Sequence, residues 1–357
     1  SLRTVMDFST IDNTAVEGYE TRPDSPDEVK GRILHHDSDF LAYQCGYKWE
    51  TESLAVSIEH LRKAIQTCRI MAGAEFIFLY LTMGDKGGRN SIATVKEYQA
   101  QRAGRDPGLT KRVKELREFM ATCTDPGVTP KVQMEQEADD ALCQAMEAAR
   151  DPAQYQLNIL QSADKDLWMV GGLHVNAKTY EIEDFPFAYG QCDLDINGTR
   201  KKLVGRGTSF FWHQLLMGDT ADNIPGLPEF SEKLVLEYWP TKAICSARDK
   251  IKSSTSTGQS VKLKKSLSNL IAKIKPKKVG AVGAYEYLYH CKTDRQALVA
   301  VLAAYREHYG DGNFVATHWN GTKYETTAGM MMIEQARLLW MRRTEGEDVI
   351  KFFEEIK

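Results

Sequence analysis

Apolar positions from residue 31 onward alternate between short runs and longer segments with helical spacing. This rhythm is typical of an α/β fold, in which a mostly parallel central sheet is flanked by crossover helices. We predict strands at 32–36, 75–81 and 156–160, and helices at 54–71 and 132–149. Further helices, in a C-terminal helical part, are predicted at 294–309 and 326–343.

The pattern also divides the chain into parts. Residues 1–30 are polar, contain Pro23 and Pro26 and show no sustained periodicity, so we predict an irregular N-terminal arm. The α/β core is expected over residues 31–217, and a helical region over residues 218–357. A chain of 357 residues is long enough for one large domain or two ordinary ones.

Net charge, cysteine spacing and the lack of long apolar stretches indicate the class of protein and the compartment in which it works. A net charge of -3 gives no global attraction to a polyanion, so any affinity for nucleic acid must be local. The seven cysteines are scattered and never form Cys-x-x-Cys, which indicates neither a disulfide framework nor a zinc site. No apolar stretch approaches the ~18 residues of a membrane span, and the N-terminus does not look like a secretory signal. We therefore expect a cytoplasmic protein with no membrane partner.

Two segments are locally cationic. The first, residues 86–117, holds aromatic Tyr98 among nine basic residues: Lys86, Arg89, Lys96, Arg102, Arg105, Lys111, Arg112, Lys114 and Arg117. The second, residues 242–278, has eleven Lys or Arg residues against one acidic residue, Asp249. Both are expected to be mobile. An ordinary solvated helix for the first and a flexible solubilising loop for the second remain open as alternatives.

Acidic residues close three of the apolar runs. In open α/β sheets ligands bind beyond the carboxyl ends of strands, so these positions favour chemistry. The strand-end acids are Asp37, Asp85, and Asp164 with Asp166. Glu137, Asp139 and Asp140 stand at a predicted helix start. Asp219 and Asp222 would share a helix face if their segment is helical.

Clustered carboxylates predict a metal site. Like charges raise one another's pKa, so such a cluster is costly unless cations neutralise it. Oxygen ligands suit Mg²⁺ or Mn²⁺, and two such ions about 4 Å apart can stabilise an in-line phosphoryl displacement. Hydrolysis of a phosphodiester is the reaction that this set favours. Taken singly, each acid can equally be a loop residue or a helix cap. No Gly-x-Gly-x-x-Gly or Walker motif indicates an organic cofactor.

The order of these groups resembles the flap endonuclease and 5′-exonuclease family, nearest to its bacteriophage members. The matching elements, over roughly residues 32–287, are Asp37, Gly84-Asp85-Lys86, Glu137-Ala138-Asp139-Asp140, Asp164-Lys165-Asp166 and Gly218-Asp219-Thr220-Ala221-Asp222-Asn223-Ile224-Pro225-Gly226. The resemblance implies two divalent ions. The first metal site or its shell would comprise Asp37, Asp85, Glu137, Asp139 and Asp140, and the second site Asp164, Asp166, Asp219 and Asp222. Asp39 stays open between a strand-face position and a helix cap.

The resemblance also implies a helical arch at about 86–117 that grips a single strand. There Tyr98 would stack on a base and Arg102 would bind a phosphate. Gln99 replaces the family's lysine, which puts part of the transition-state electrostatics in doubt. Catalysis is expected from Asp37, Asp85, Lys86 and Arg102.

A helix-hairpin-helix is implied in the C-terminal region. Its first half matches 226–228 and its second half 279–285, so we infer a basic insertion at about 229–277. The resemblance places a K⁺ ion at this hairpin. Expected DNA contacts over the whole chain are Lys86, Arg89, Tyr98, Arg102, Arg105, Gly226, Lys278, Gly280 and Gly283.

The activity that the resemblance implies is 5′-3′ exonucleolytic hydrolysis of duplex DNA in a bacterial host cell, within DNA replication. Flap endonuclease and RNase H-like cleavage fall in the same class, and DNA with a free 5′ end, a flap or a nick is the expected partner. A non-catalytic DNA-binding member of the fold and a related metal-dependent ribonuclease are the alternatives.

Overall fold

The computed structural model describes residues 25–274 and 277–357. They fall into two units that interleave along the chain. The first unit comprises the described part of Ser1–Gly88 together with Arg102–Phe187 and Met341–Glu347, and the second comprises Arg89–Gln101, Ala188–Trp340 and Asp348–Lys357. The predicted arm lies outside the described residues up to position 24, and residues 25–28 form no helix or strand. The predicted division at residue 217 stays a prediction.

Helices and strands alternate through the first half of the chain. In order they are β1 (Val29–Asp37), α1 (Ser38–Gly46), α2 (Leu54–Met71), β2 (Ala74–Thr82), α3 (Arg89–Ile92), α4 (Pro107–Ala121), β3 (Val128–Gln133), α5 (Ala138–Ala148), α6 (Pro152–Tyr155), β4 (Asn158–Ser162), β5 (Gly172–Asn176) and β6 (Ile182–Phe185). Short 3₁₀ helices occupy Ala100–Gly104 and Lys165–Met169.

The second half is mainly helical. Its elements are β7 (Gln191–Asn197), β8 (Arg200–Arg206), α7 (Thr208–Met217), β9 (Glu229–Phe230), α8 (Glu232–Tyr238), α9 (Lys242–Ser253), α10 (Thr257–Ile271), β10 (Lys277–Lys278), α11 (Ala281–Leu288), α12 (Asp294–Tyr309), β11 (Phe314–Thr317), β12 (Lys323–Thr326), α13 (Ala328–Leu339) and α14 (Val349–Glu355).

A six-stranded sheet in the order β3-β2-β1-β4-β5-β6 forms the centre of the first unit. The first five strands run parallel, and only β6 pairs antiparallel with its neighbour. This confirms the predicted α/β class. The chain moves outward from β1 through β2 to β3 and then returns to the other side of β1 with β4. The strand order therefore reverses between β1 and β4, and in open sheets this is the position where ligands bind.

The core of this unit lies between the sheet and helices α1, α2 and α4. Leu34 of β1 and Leu79 of β2 are fully buried, as are Leu61 of α2 and Leu116 of α4. Burying a side chain of this size stabilises the fold by about 1.5–3 kcal/mol. Because α4 contributes to the core through Leu116, the C-terminal part of the segment predicted as an arch is a packed core helix.

One secondary-structure prediction was wrong, and the helical condition set for Asp219 and Asp222 is not met. The helix predicted from residue 132 begins only at Ala138, because residues 128–133 pair with β2 as the edge strand β3. The segment of Asp219 and Asp222 is not a helix, since α7 ends at Met217, its C-cap Gly218 has φ +72° and the chain then turns back. The argument that these two acids share a helix face therefore does not hold.

The second unit is built around α7, whose Phe210, Phe211 and Trp212 are fully buried. Trp212 packs against Phe352 and Phe353 of α14, with ring centroids 6.0 and 5.5 Å apart. All seven cysteines are free. Within the described part of the chain, no helix is long and apolar enough to cross a bilayer.

Candidate active site

The carboxyl ends of β1 and β4 meet where the strand order reverses. Asp37 ends β1, and Ser162 at the end of β4 donates its hydroxyl to Asp37 Oδ2 at 2.7 Å. The same hydroxyl oxygen accepts the Asp164 N–H at 2.9 Å. Ser162 thus fixes Asp37 and the start of the following loop relative to each other. Ser162 could not be identified from the sequence, because its partner lies 125 residues away.

Asp164 and Asp166 are held by a turn directly after β4. The Asp164 side chain accepts the Asp166 N–H at 2.9 Å and caps the 3₁₀ helix Lys165–Met169. Asp164 is exposed and Asp166 is buried. Lys165, between them, places its ammonium 3.0 Å from Asp166 Oδ1. This lysine is a charged neighbour of the site that we did not single out from the sequence.

Glu137 and Asp139 come from the N-terminus of α5. Thr82, at the end of β2, accepts the Ala138 N–H on its hydroxyl at 2.9 Å and thereby anchors the first turn of the helix. Glu137 occupies the N-cap position, with extended backbone angles. The positive end of the helix dipole favours the negative charge of Asp139 in the first turn.

Five of these carboxylates lie close enough to interact electrostatically. Burial raises the pKa of Asp139 well above its ordinary value, and the negative charges of Asp37, Asp164, Glu137 and Asp166 raise it further. The pKa of Asp37 is raised to about 6, first by burial and then by the charge of Asp39. We call Asp37, Glu137, Asp139, Asp164 and Asp166 the acidic cluster. Their mutual repulsion is the situation that a bound cation would relieve.

Three further acids of the first unit are held in other ways. Asp140 is fully buried and accepts the Arg342 N–H at 3.0 Å. Asp85 is exposed and accepts the Gly88 N–H at 2.9 Å. Asp39 lies in the first turn of α1 and forms an ion pair with Arg117 at 2.7 Å. Asp39 therefore lies neither on the strand nor at the N-cap of α1, which is Asp37.

The donor chemistry of the acidic cluster fits a hard divalent ion, because all its donors are carboxylate oxygens. Among the described residues, however, no three His, Cys, Asp or Glu side chains are arranged as a preformed metal site. The fit therefore rests on the ligand type and on the burial and neighbouring negative charges that raise the pKa of Asp139.

In the second unit, residues 218–226 form a closed loop that carries Asp219 and Asp222. Asp219 and Ile224 exchange backbone hydrogen bonds of 2.8 and 2.7 Å. A Cβ on Gly218 would lie 2.3 Å from the Ile224 carbonyl oxygen, and one on Gly226 would lie 2.3 Å from the Gly218 nitrogen. Both glycines are thus needed for the close return of the chain. The Gly226 N–H, expected to face DNA, donates to Gln335 Oε1 at 3.1 Å.

Asp222 is held by the segment that was expected to contact DNA. The Tyr98 hydroxyl donates to Asp222 Oδ2 at 3.2 Å, and the Gln99 amide nitrogen donates to Asp222 Oδ1 at 2.9 Å. Tyr98 is 5% exposed and Gln99 6%, so neither presents a surface on which a base could stack.

The basic residues predicted at the arch differ in exposure. Arg89 is fully buried, and its guanidinium donates to the carbonyls of Leu338 and Trp340 at 3.3 and 3.0 Å. This gives Arg89 a packing role at the end of α13 in place of a DNA contact. Arg105 stacks over the Tyr43 ring, 5.0 Å from its centroid. Lys86 and Arg102 are partly exposed.

The two halves of the predicted hairpin are joined by a short sheet. β9 pairs antiparallel with β10, so that Lys278 lies opposite Glu229. Gly280 occupies the N-cap position of α11 and has open space around it, whereas Gly283 faces Phe230. The described part of the predicted insertion contains α8, α9 and α10. Lys275 and Pro276 lie outside the described residues.

No protein-family model matches the chain, and no curated protein matches it in sequence. Three similar solved structures come from bacteriophage T5. They are a protein co-crystallised with metal ions, a flap endonuclease variant in a pseudo-enzyme-product complex with DNA and metal ions, and a 5′-exonuclease with bound divalent zinc ions. Each covers 76% of this chain and 93% of its own, with 15–16% identity and TM-scores of 0.41–0.42.

Proposed function

We propose that this chain is a metal-dependent nuclease that hydrolyses phosphodiester bonds of DNA from a free 5′ end. The observation that carries the proposal is the acidic cluster at the reversal point between β1 and β4. Five carboxylates from three chain segments are costly to gather there unless they neutralise a cationic ligand. A protein that only bound DNA would gain nothing from this concentration of negative charge.

In this proposal the acidic cluster holds two Mg²⁺ or Mn²⁺ ions. Asp37, Glu137 and Asp139 would serve one ion, and Asp164 and Asp166 the other. Bound divalent ions supply a hydroxide near neutral pH and neutralise charge on the reacting phosphate. Ser162 keeps the Asp37 carboxylate oriented, and Lys165 offsets part of the negative charge of Asp166. Asp85, Asp140, Asp219 and Asp222 as further ligands, and a K⁺ ion at the hairpin, stay predictions.

DNA would be attracted by local positive charge, since the chain as a whole is slightly acidic. Helices α9 and α10 supply it. The lysines of α10 are all exposed, and the helix contains no acidic residue. Lys86 and Arg102, partly exposed in the first unit, are the candidates for contact with the reacting strand. The preference for a 5′ end, whether at a duplex end, a flap or a nick, rests on the sequence resemblance.

The proposal is tested by the products of wild-type protein on blunt duplex, nicked, flap and RNA–DNA hybrid substrates, labelled at either end. With Mg²⁺ we expect short products released from the 5′ end, and with EDTA we expect no cleavage. A non-catalytic DNA-binding protein would retard these substrates and leave them intact. Cleavage that persists in EDTA, or that acts on RNA alone, would refute the proposal.

A further inference from the structure

The ammonium of Lys277 lies between an aromatic ring and a carboxylate. Its Nζ is 3.4 Å from the centroid of the Trp239 ring and 3.3 Å from Glu286 Oε2. The indole N–H of Trp239 donates to the same carboxylate oxygen. Each of these side chains therefore contacts the other two, and we call Lys277, Trp239 and Glu286 the clasp. All three belong to the second unit.

Aromatic packing fixes the clasp. Phe230 of β9 packs against the rings of Trp239 and Tyr287, with ring centroids 5.0 and 5.1 Å apart. A Cβ on Gly283 of α11 would lie 3.3 Å from the Phe230 ring and 3.9 Å from Lys277 Cε. The lack of a side chain at Gly283 thus lets both residues approach α11 closely.

The clasp joins the two ends of the helix pair α9 and α10. Trp239 lies just before α9, Lys277 follows α10 in β10, and Glu286 lies on α11. Away from this base, the described residues give the pair little support. Within the described part of the chain, α9 and α10 pack chiefly against each other, and α10 has no buried side chain. A hydrogen bond of 3.5 Å from Arg248 of α9 to the Leu236 carbonyl is a weak link to α8.

We infer that Lys277 is a positioning residue that, through Trp239 and Glu286, holds α9 and α10 in the orientation in which they bind DNA. This inference rests on the DNA binding that the proposed function assigns to these helices. A helix pair already held in its binding orientation loses less conformational freedom when DNA binds, which raises affinity without a new contact. The ammonium of Lys277 is engaged within the fold, so its charge serves the clasp and not a phosphate.

The test measures binding of duplex DNA by the full chain in EDTA at several salt concentrations. Lys277→Met removes the charge and keeps the apolar stem over Trp239. We expect affinity to fall about 3–30-fold, the loss that corresponds to a cation–π contact, with the salt slope unchanged because the same phosphates are contacted. Lys277→Arg should retain wild-type affinity, because a guanidinium also stacks on an aromatic ring and pairs with a carboxylate. The matched control is Lys323→Met, an exposed lysine of β12 in the same unit, which should bind DNA as the wild type does.

Two further variants connect the effect to the helix pair. A triple variant of α10 replaces Lys262, Lys264 and Lys265 by glutamine. We expect its loss of affinity combined with Lys277→Met to be smaller than the product of the separate losses, whereas the losses of independent contacts would multiply. Glu286→Gln breaks the clasp from the other side, and it should lower affinity although removing a negative charge by itself favours DNA binding.

The outcomes separate this inference from the proposed function. Wild-type affinity in Lys277→Met, or equal losses in Lys277→Arg or Lys323→Met, would overturn the inference alone. So would a salt slope reduced by about 0.9 together with losses that multiply, because Lys277 would then contact a phosphate. Higher affinity in Glu286→Gln would contradict the clasp as well. Wild-type protein that binds no DNA would overturn both, whereas wild-type protein that binds DNA and cleaves none with Mg²⁺ would overturn the proposed nuclease and leave the inference intact.

Discussion

Replacing Asp139 by asparagine is expected to stabilise the metal-free protein while removing its nuclease activity. Burial and, after it, the negative charges of four other carboxylates raise the pKa of Asp139, so its ionised form is costly in the folded state. An amide of the same shape removes that cost. We expect the free energy of unfolding in EDTA at pH 8 to rise by about 0.5–2 kcal/mol, the range typical of single stabilising substitutions.

The stability gained by Asp139→Asn should increase with pH. A carboxyl whose pKa is higher in the folded than in the unfolded chain lowers the stability of the folded protein as pH rises above the pKa of the unfolded state. The gain from Asp139→Asn should therefore vanish below about pH 4, where the carboxyl is protonated in both states. For Asp37→Asn the gain in stability should develop as pH rises from 3.8, the ordinary pKa of the carboxyl, to about 6, its pKa in the folded protein. Urea unfolding at pH 4 and pH 8 measures both effects.

Activity should change in the opposite sense. Removing one group that stabilises the transition state typically lowers the rate by about 10²–10³-fold, so Mg²⁺-dependent cleavage by Asp139→Asn should fall by about that factor. The control is Glu59→Gln, an exposed carboxylate on α2 of the same unit, which should change neither stability nor cleavage. Wild-type cleavage by Asp139→Asn, or a loss of stability in EDTA at pH 8, would contradict the role given to the acidic cluster.

Neutralising the lysines of α10 is expected to weaken DNA binding and to make it less dependent on salt concentration. Lys262, Lys264 and Lys265 are exposed, and α10 has no buried side chain that a triple Lys→Gln variant would disturb. Each phosphate contact contributes roughly 0.9 to the slope of log affinity against log salt, so the slope should fall by about 1 to 3. DNA affinity at low salt should fall by about 10–1,000-fold. Each lost phosphate contact no longer releases counterions from the DNA, and this release favours binding.

The matched control replaces three exposed lysines outside α10, Lys63, Lys178 and Lys351, by glutamine. The net charge changes equally, so a general electrostatic effect would appear in both variants. An unchanged salt slope in the α10 variant would make this helix a passive surface. Mn²⁺ affinity should be the same in both variants, because no substituted residue belongs to the acidic cluster.

The sequence predicted those elements whose burial is periodic. The helix predicted at 54–71 is α2, and the one predicted at 294–309 is α12, with the same bounds. Strand β3 escaped prediction because it is an edge strand of mixed polarity that contains Pro130. The β7–β8 hairpin escaped as well, since most of its side chains are exposed and show no apolar face.

The candidate site was predictable as a set of residue types and not as a set of contacts. Strand-end position was enough to find Asp37 and Asp164, because the carboxyl ends of parallel strands share one edge of a sheet. The hydrogen-bond partners of these side chains in the folded chain could not be predicted. Asp140 bonds to a backbone 202 residues away, and Gln99 bonds to Asp222 across 123 residues. Local sequence carries no trace of such pairings, so Gln99 was interpreted only by comparison with the lysine that it replaces.

Equilibrium binding of Mn²⁺ to metal-free protein, measured by calorimetry without DNA, tests most directly whether the acidic cluster is a metal site. Wild-type protein and Glu59→Gln should bind Mn²⁺ with equal affinity and stoichiometry, and should be stabilised against unfolding by it. Asp139→Asn should lose at least one bound ion. Wild-type protein without detectable Mn²⁺ binding, or Asp139→Asn with wild-type stoichiometry and affinity, would contradict the account.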